Sequence, residues 1–119
     1  RLGTIQTINI GNRYPDTIAG IGAGMALSKL NTNKPILVLC EVEDEPDFLK
    51  VSMRTYEKVL RRGVNLQEAL CSAAAEFGGS GGGHNIAAGA YIPKGCEDDF
   101  CRRVNELIQA QLDAGPANR

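Results

Sequence analysis

Residues 35–42 read Pro-Ile-Leu-Val-Leu-Cys-Glu-Val, a run apolar but for Glu41, with no helical spacing and too few residues for a buried helix. Such a run is the pattern of a central strand buried on both faces, and it commits the chain to layers packed on either side of a sheet. Phe48–Thr55 follows with strict alternation, Leu49, Val51 and Met53 against Lys50, Ser52 and Arg54. One face of that strand packs, and the other carries a polar, basic ladder. Leu2–Ile10 and Ile86–Pro93 read as two further strands, and Glu43–Asp47 as an acidic turn.

Helical signals lie between the strands. Pro15 and Asp16 suit a helix start, and Asp16–Leu30 is rich in Gly and Ala, with Gly20 and Gly24 on one face for close backbone packing. Asn65 is placed to cap a helix over Leu66–Phe77, with Glu68 at the reciprocal capping position and Gly78 as the stop. Its stripe is Leu66, Ala69, Leu70, Ala73, Ala74 and Phe77. Glu97, Asp98 and Asp99 open a last helix with a stripe of Phe100, Val104, Leu107, Ile108 and Leu112. Tyr56–Val64 fits either a short helix or a loop carrying Arg61 and Arg62. The expectation is one α/β domain over residues 1–113, a mixed β-sheet of about four to five strands covered by three helices, with 114–119 as a tail.

Bulk properties narrow the function. The 119 residues carry a net charge of −1 with a pI near 5.8, so the chain does not coat nucleic acid by charge alone. Aromatics are 5% with no Trp, which argues against a stacking platform of several rings. Any anion must bind at a local site. Cys40, Cys71, Cys96 and Cys101 form no CxxC pair, so zinc is a poor fit. Cys40 and Cys71 sit in apolar runs and read as small buried hydrophobes. Reduced thiols and a cytoplasmic location are expected, a Cys96–Cys101 disulfide being the alternative. No run of about 18 apolar residues suggests a membrane span. The chain starts at Arg1 in a strand-like run and reads as a piece of a longer protein.

Residues 78–84, Gly-Gly-Ser-Gly-Gly-Gly-His, are the strongest functional signal. Glycine costs roughly 0.5–1 kcal/mol relative to Ala in a regular element, so five in six positions need a reason. Two reasons are available: positive φ at several positions, or close approach of a ligand to amides that form an anion-binding nest. The alternative is a flexible linker. A P-loop does not fit, because His84 and Asn85 stand where Lys and Ser/Thr are required. The run also closes a helix, whose C-terminal end repels phosphate, so loop amides, His84 and nearby cations must supply the attraction. The run Gly20–Gly24 lacks the last glycine of a dinucleotide fingerprint and reads as packing.

His84, the sole histidine, is either a local hydrogen-bonding residue or a donor to a phosphate or base edge. Ser52 and Arg54 are a second candidate pair, Arg54 being suited to bidentate phosphate contact. Catalysis has less support. One histidine and scattered carboxylates cannot supply a metal-ligand cluster, and no Ser or Cys has a triad setting. The expectation is no catalytic residue, no metal ligand and no cofactor in this sequence.

At Gly78–Ala90 (GGSGGGHNIAAGA) the chain resembles the DHHA1 domain, the C-terminal domain of the DHH phosphoesterase superfamily, with one extra Ser-containing turn at Gly79–Ser80. Tyr14-Pro15-Asp16-Thr17, Gly20 and Met25 look like the helix start of archaeal RecJ-like proteins, and Val51–Arg54 like the family's polar strand. The resemblance implies a missing N-terminal DHH domain that holds manganese or magnesium and cuts phosphodiester bonds. This domain would then grip the substrate through Ser52, Arg54, Gly81, Gly82, Gly83 and His84. Asn85-Ile86 and Ile92-Pro93-Lys94-Gly95 look most like archaeal RecJ, implying a single-strand-specific exonuclease acting on DNA or RNA. The alternatives are a substrate domain for oligoribonucleotides or cyclic dinucleotides, a nucleotide-sensing module, or a non-catalytic module that docks replication proteins.

Overall fold

The apolar run and its alternating neighbour become the middle of one sheet. The computed structural model describes residues 3–11 and 31–116. Its strands are β1 (Gln6–Asn9), β2 (Ile36–Val42), β3 (Glu45–Arg54), β4 (Ser80–Gly83) and β5 (Ala87–Pro93). They lie in the order β1-β2-β3-β5-β4, with β1 parallel to β2 and the other three pairings antiparallel. Among the described residues three helices accompany them: α1 (Glu57–Leu60), α2 (Leu66–Glu76) and α3 (Glu97–Ala114). The α/β class and the mixed sheet of four to five strands are as the sequence indicates. The helix expected over Asp16–Leu30 lies outside the described residues.

Register sorts the side chains. Leu37, Met53 and Ala88 align across the sheet, as do Leu39, Val51 and Ala90, and Leu49 aligns with Ile92. All eight are buried in one cluster with Leu66, Ala69, Leu70, Ala73 and Ala74 of α2 and Phe100, Cys101, Val104 and Ile108 of α3. The alanines let α2 sit close to β4 and β5. Leu107 and Leu112 pack against the edge of this core rather than inside it. No described helix is long and apolar enough to cross a membrane.

Several boundaries differ from expectation. β3 begins at Glu45, inside the expected acidic turn, because a register shift after Glu41 lets Val42 pair with Glu45. Only Glu43 and Asp44 are left to turn. Cys40 and Cys71 are half-buried, and Cys101 is the buried thiol; all four cysteines are free. Asn65 caps α2 as expected, its Oδ1 accepting from the Glu68 amide at 3.1 Å. The reciprocal partner is not Glu68. Gln111 of α3 accepts from the Asn65 amide (2.9 Å) and donates to its carbonyl (3.0 Å), tying α2 to α3. Asn65→Ala is expected to cost about 1 kcal/mol through the lost cap, read as a melting temperature a few degrees lower.

Candidate functional site

The glycine run is the main correction. It is not a loop: Ser80–Gly83 is an edge strand, paired antiparallel with β5. Before it, Gly78 (φ 81°) stops α2, with its amide on Ala75 O and the Gly79 amide on Ala74 O. These bonds occupy the last carbonyls of the helix in a Schellman arrangement. β4 then runs back along α2. Its far end closes with the His84 amide on Ala87 O (2.7 Å), and the Asn85 carbonyl accepts from Leu66 N at the start of α2 (2.9 Å). The run therefore leaves from the negative end of α2 but delivers His84 to the positive end. The repulsion expected from a helix C-terminus does not bear on His84.

The glycines divide by their reasons. Gly83 has φ 133°, and a Cβ there would lie 2.7 Å from Ala87 O and Ala88 Cα. A Cβ on Gly79 would overlap the Tyr91 carbonyl oxygen, and one on Gly81 would press on Gly89 O (3.1 Å) and Ala90 Cβ (3.2 Å) beneath Cys71 of α2. Gly79 and Gly83 are required by the fold, and a side chain at Gly81 would be crowded. Gly82 is not required: its φ is not positive and nothing lies within 4 Å of the missing Cβ. Positive φ, expected at several positions of the run, occurs there only at Gly78 and Gly83.

The pairing also sets what the edge exposes. With His84 and Ala87 hydrogen-bonded, Gly82 and Ser80 are the next bonded positions, and Gly81 and Gly83 turn their N–H and C=O groups outward. All four residues from Gly81 to His84 are exposed.

On the sheet face opposite the core, three rows run across the strands. Val38, Ser52, Gly89 and Gly82 form the middle row. Ile36, Arg54 and Ala87 form a second, which His84 extends through its bond to Ala87. Cys40, Lys50, Tyr91 and Ser80 form the third. Ser52, Arg54, Gly82 and His84 thus share a region about 10 Å across, two strand spacings wide. Gly81 and Gly83 reach it only through their outward backbone groups. No carboxylate stands on these rows. Among the described residues, Lys50, Arg54 and His84 have no ion-pair or side-chain hydrogen-bond partner, whereas Arg102 and Arg103 are held by Asp99, Glu76 and Glu106. Arg61 and Arg62 lie beyond the end of α1, off these rows. Lys50 stood on the polar, basic ladder read from the sequence without being named a site residue; Gly89 and Tyr91 are additions, for which the alternation of β5 (Ala87, Gly89, Tyr91 against Ala88, Ala90, Ile92) was the signal.

Burial, then Asp98, Glu97 and Cys96, push the Cys101 thiol up to about 11, and burial also raises Cys40 and Cys96, so none of these is an activated nucleophile. Among the described residues no three His, Cys, Asp or Glu side chains gather into a possible metal site.

Comparison with known proteins supports the architecture. The family model described as the DHHA1 domain matches residues 4–110. An uncharacterized protein of Methanocaldococcus jannaschii is 39% identical over 89 residues, covering 75% of this chain. The match takes in 20% of that relative, so the chain spans about a fifth of its length. Among solved structures, the C-Ala domain of Aquifex aeolicus alanyl-tRNA synthetase superposes with a TM-score of 0.63 at 14% identity, covering 94% of this chain and 96% of that domain. The Vibrio pGpG-specific phosphodiesterase PggH gives 0.50 at 12% identity, covering 89% of this chain and 34% of that one.

Proposed function

The chain belongs to the DHHA1 domain family, and from that premise we propose that it grips a single strand of nucleic acid for a phosphodiesterase domain elsewhere in its parent protein. The observation that carries the reading is the face on which, among the described residues, no carboxylate stands and Arg54 and Lys50, without ion-pair partners, flank Ser52 and lead to the exposed glycine edge. A phosphodiester needs cations without competing anions, hydrogen-bond donors, and backbone open to close approach. Arg54 offers a planar fork, Ser52 a hydroxyl, and Gly81 and Gly83 outward amides. Hydrolysis is assigned to an N-terminal DHH domain of the same chain that holds manganese or magnesium. The donor set here does not fit such ions: there is one histidine, and among the described residues no three His, Cys, Asp or Glu side chains gather. The finer reading is a RecJ-like, single-strand-specific exonuclease in the cytoplasm, and it rests on the sequence resemblance at Asn85-Ile86 and Ile92-Pro93-Lys94-Gly95.

Few phosphates fit one such face, so binding of a fluorescent oligothymidylate by the full-length protein is expected to be weak and only moderately salt-sensitive. Each contacted phosphate adds about −0.7 to the slope of log affinity against log salt. Arg54→Ala is expected to weaken binding on the order of tenfold and to lower that slope by about 0.7. An affinity indifferent to both salt and Arg54→Ala would sink the reading.

A further inference from the structure

Tyr91 is one of two exposed large hydrophobic residues among those described, at 44% relative exposure; Tyr56 is the other. A single exposed aromatic is ordinary on a protein surface. The neighbours of Tyr91 are not. Its backbone is pinned, since Gly79 packs over its carbonyl and Ile92 beyond it is fully buried. Directly opposite on β3 stands Lys50, a cation with no ion-pair partner among the described residues. On the same face, two residues back along β5, is Gly89, which lies opposite both Ser52 and Gly82.

Gly89 and Gly82 combine two properties that no other glycine of the hairpin combines: room for a Cβ and no positive φ. A Cβ on Gly82 would touch nothing, and one on Gly89 would meet only Val51 O at 3.5 Å, an ordinary contact. The fold therefore tolerates a side chain at both, although glycine weakens a strand. What the two glycines provide is a floor without side chains, bounded about 7 Å along the strands by the Tyr91 row on one side and the Arg54 row on the other. At its inner end stands Ser52, between the two cations.

We propose that Tyr91 is the base-stacking residue of this site, and that Gly89 and Gly82 keep the floor beside it clear for one nucleobase whose phosphate lies toward Ser52, Lys50 and Arg54. The proposal rests on the strand-gripping reading above. It names a nucleotide unit as the ligand: an aromatic face for the base and a cation pair for the phosphate, in adjoining rows. A ring face accepts any base, so recognition here is tolerant of sequence.

The test uses the full-length protein with two labelled oligonucleotides of equal length, oligothymidylate and its abasic counterpart, which carries the same phosphates without bases. Tyr91→Ala is expected to weaken oligothymidylate binding about 5- to 150-fold, the range of one base–aromatic stack, and to leave abasic binding unchanged. Tyr91→Phe, which keeps the π-face, is expected to stay within about twofold of the unaltered protein. Arg54→Ala is expected to weaken both oligonucleotides alike. If Tyr91→Ala changes neither, or both equally, while Arg54→Ala weakens both, stacking is overturned and the phosphate grip stands. If Arg54→Ala is silent, or the unaltered protein binds neither strand, the strand-gripping reading itself fails.

Discussion

Gly82→Val should leave the melting temperature nearly unchanged and cut single-strand cleavage by the parent enzyme on the order of a hundredfold, because a small displacement of a bound phosphate is costly to productive placement. Its neighbour should do the reverse. Gly83→Val forces a β-branched residue to φ 133° and drives its Cβ to 2.7 Å from Ala87 O and Ala88 Cα, all backbone with no way to yield. Strain and overpacking together are expected to cost about 2–5 kcal/mol. At Gly82 there is open space and no positive φ, so the fold accepts the side chain and only an incoming ligand meets it. His84→Ala provides a third arm. It alters no glycine and removes one donor to a charged group, expected at about 1.5–3 kcal/mol of binding. Thermal melting, metal titration and cleavage of a labelled strand separate the three. Equal loss of stability at Gly82 and Gly83 would show that the edge strand is fixed by its own packing. Full activity of both Gly82→Val and His84→Ala would reduce the glycine run to a structural element.

The sequence showed the core of this fold well and its edge poorly, for one physical reason. Leu49, Val51 and Met53 announce their face because side chains alternate, and the mostly apolar run at 35–42 announces a strand whose buried part is Leu37–Leu39. Glycine carries no side chain to alternate, so β4 has no period to read, and its strand character comes wholly from pairing with Ala88–Tyr91. The direction of the helix field was misjudged on the same account. Only the hairpin, returning along α2, brings His84 and Asn85 to Leu66. Likewise, Glu68 stood at the capping position, but the Asn65 amide is taken by Gln111, 46 residues away, which no local motif reveals. Ser52 and Arg54 were legible from the polar face of β3. Gly89 and Tyr91 were legible as alternation but gained meaning only when register set them beside Lys50, Ser52 and Gly82.

Phe100→Ala should be the most destabilising single truncation in the core, and its effect should reach the glycine strand. Phe100 is fully buried, and its ring meets that of Phe77 edge to face, with centroids 5.9 Å apart. A buried Phe→Ala change typically costs about 3–5 kcal/mol, which includes the cavity left behind. Loss of the aromatic pair belongs within that range, at about 0.5–1.5 kcal/mol. Against a total stability of about 5–15 kcal/mol for a domain, that is a large fraction. The consequence beyond stability follows from where Phe77 sits. It is the C-cap of α2, immediately before the Gly78 and Gly79 amides that close the helix on Ala75 and Ala74 and lead into β4. With Phe100 gone, Phe77 loses the ring that holds it, and the cap should open more often. Hydrogen exchange is therefore expected to quicken at Gly79 and at Gly82, whose amide is bonded to β5, before it quickens at Val51 or Leu39 in the central strands. Phe100→Leu, which refills most of the volume without the edge-to-face contact, should restore most of the stability while leaving Gly79 exchange elevated. Uniform acceleration across the sheet would show that the core and the glycine strand open as one unit, and that Phe77 does not link them.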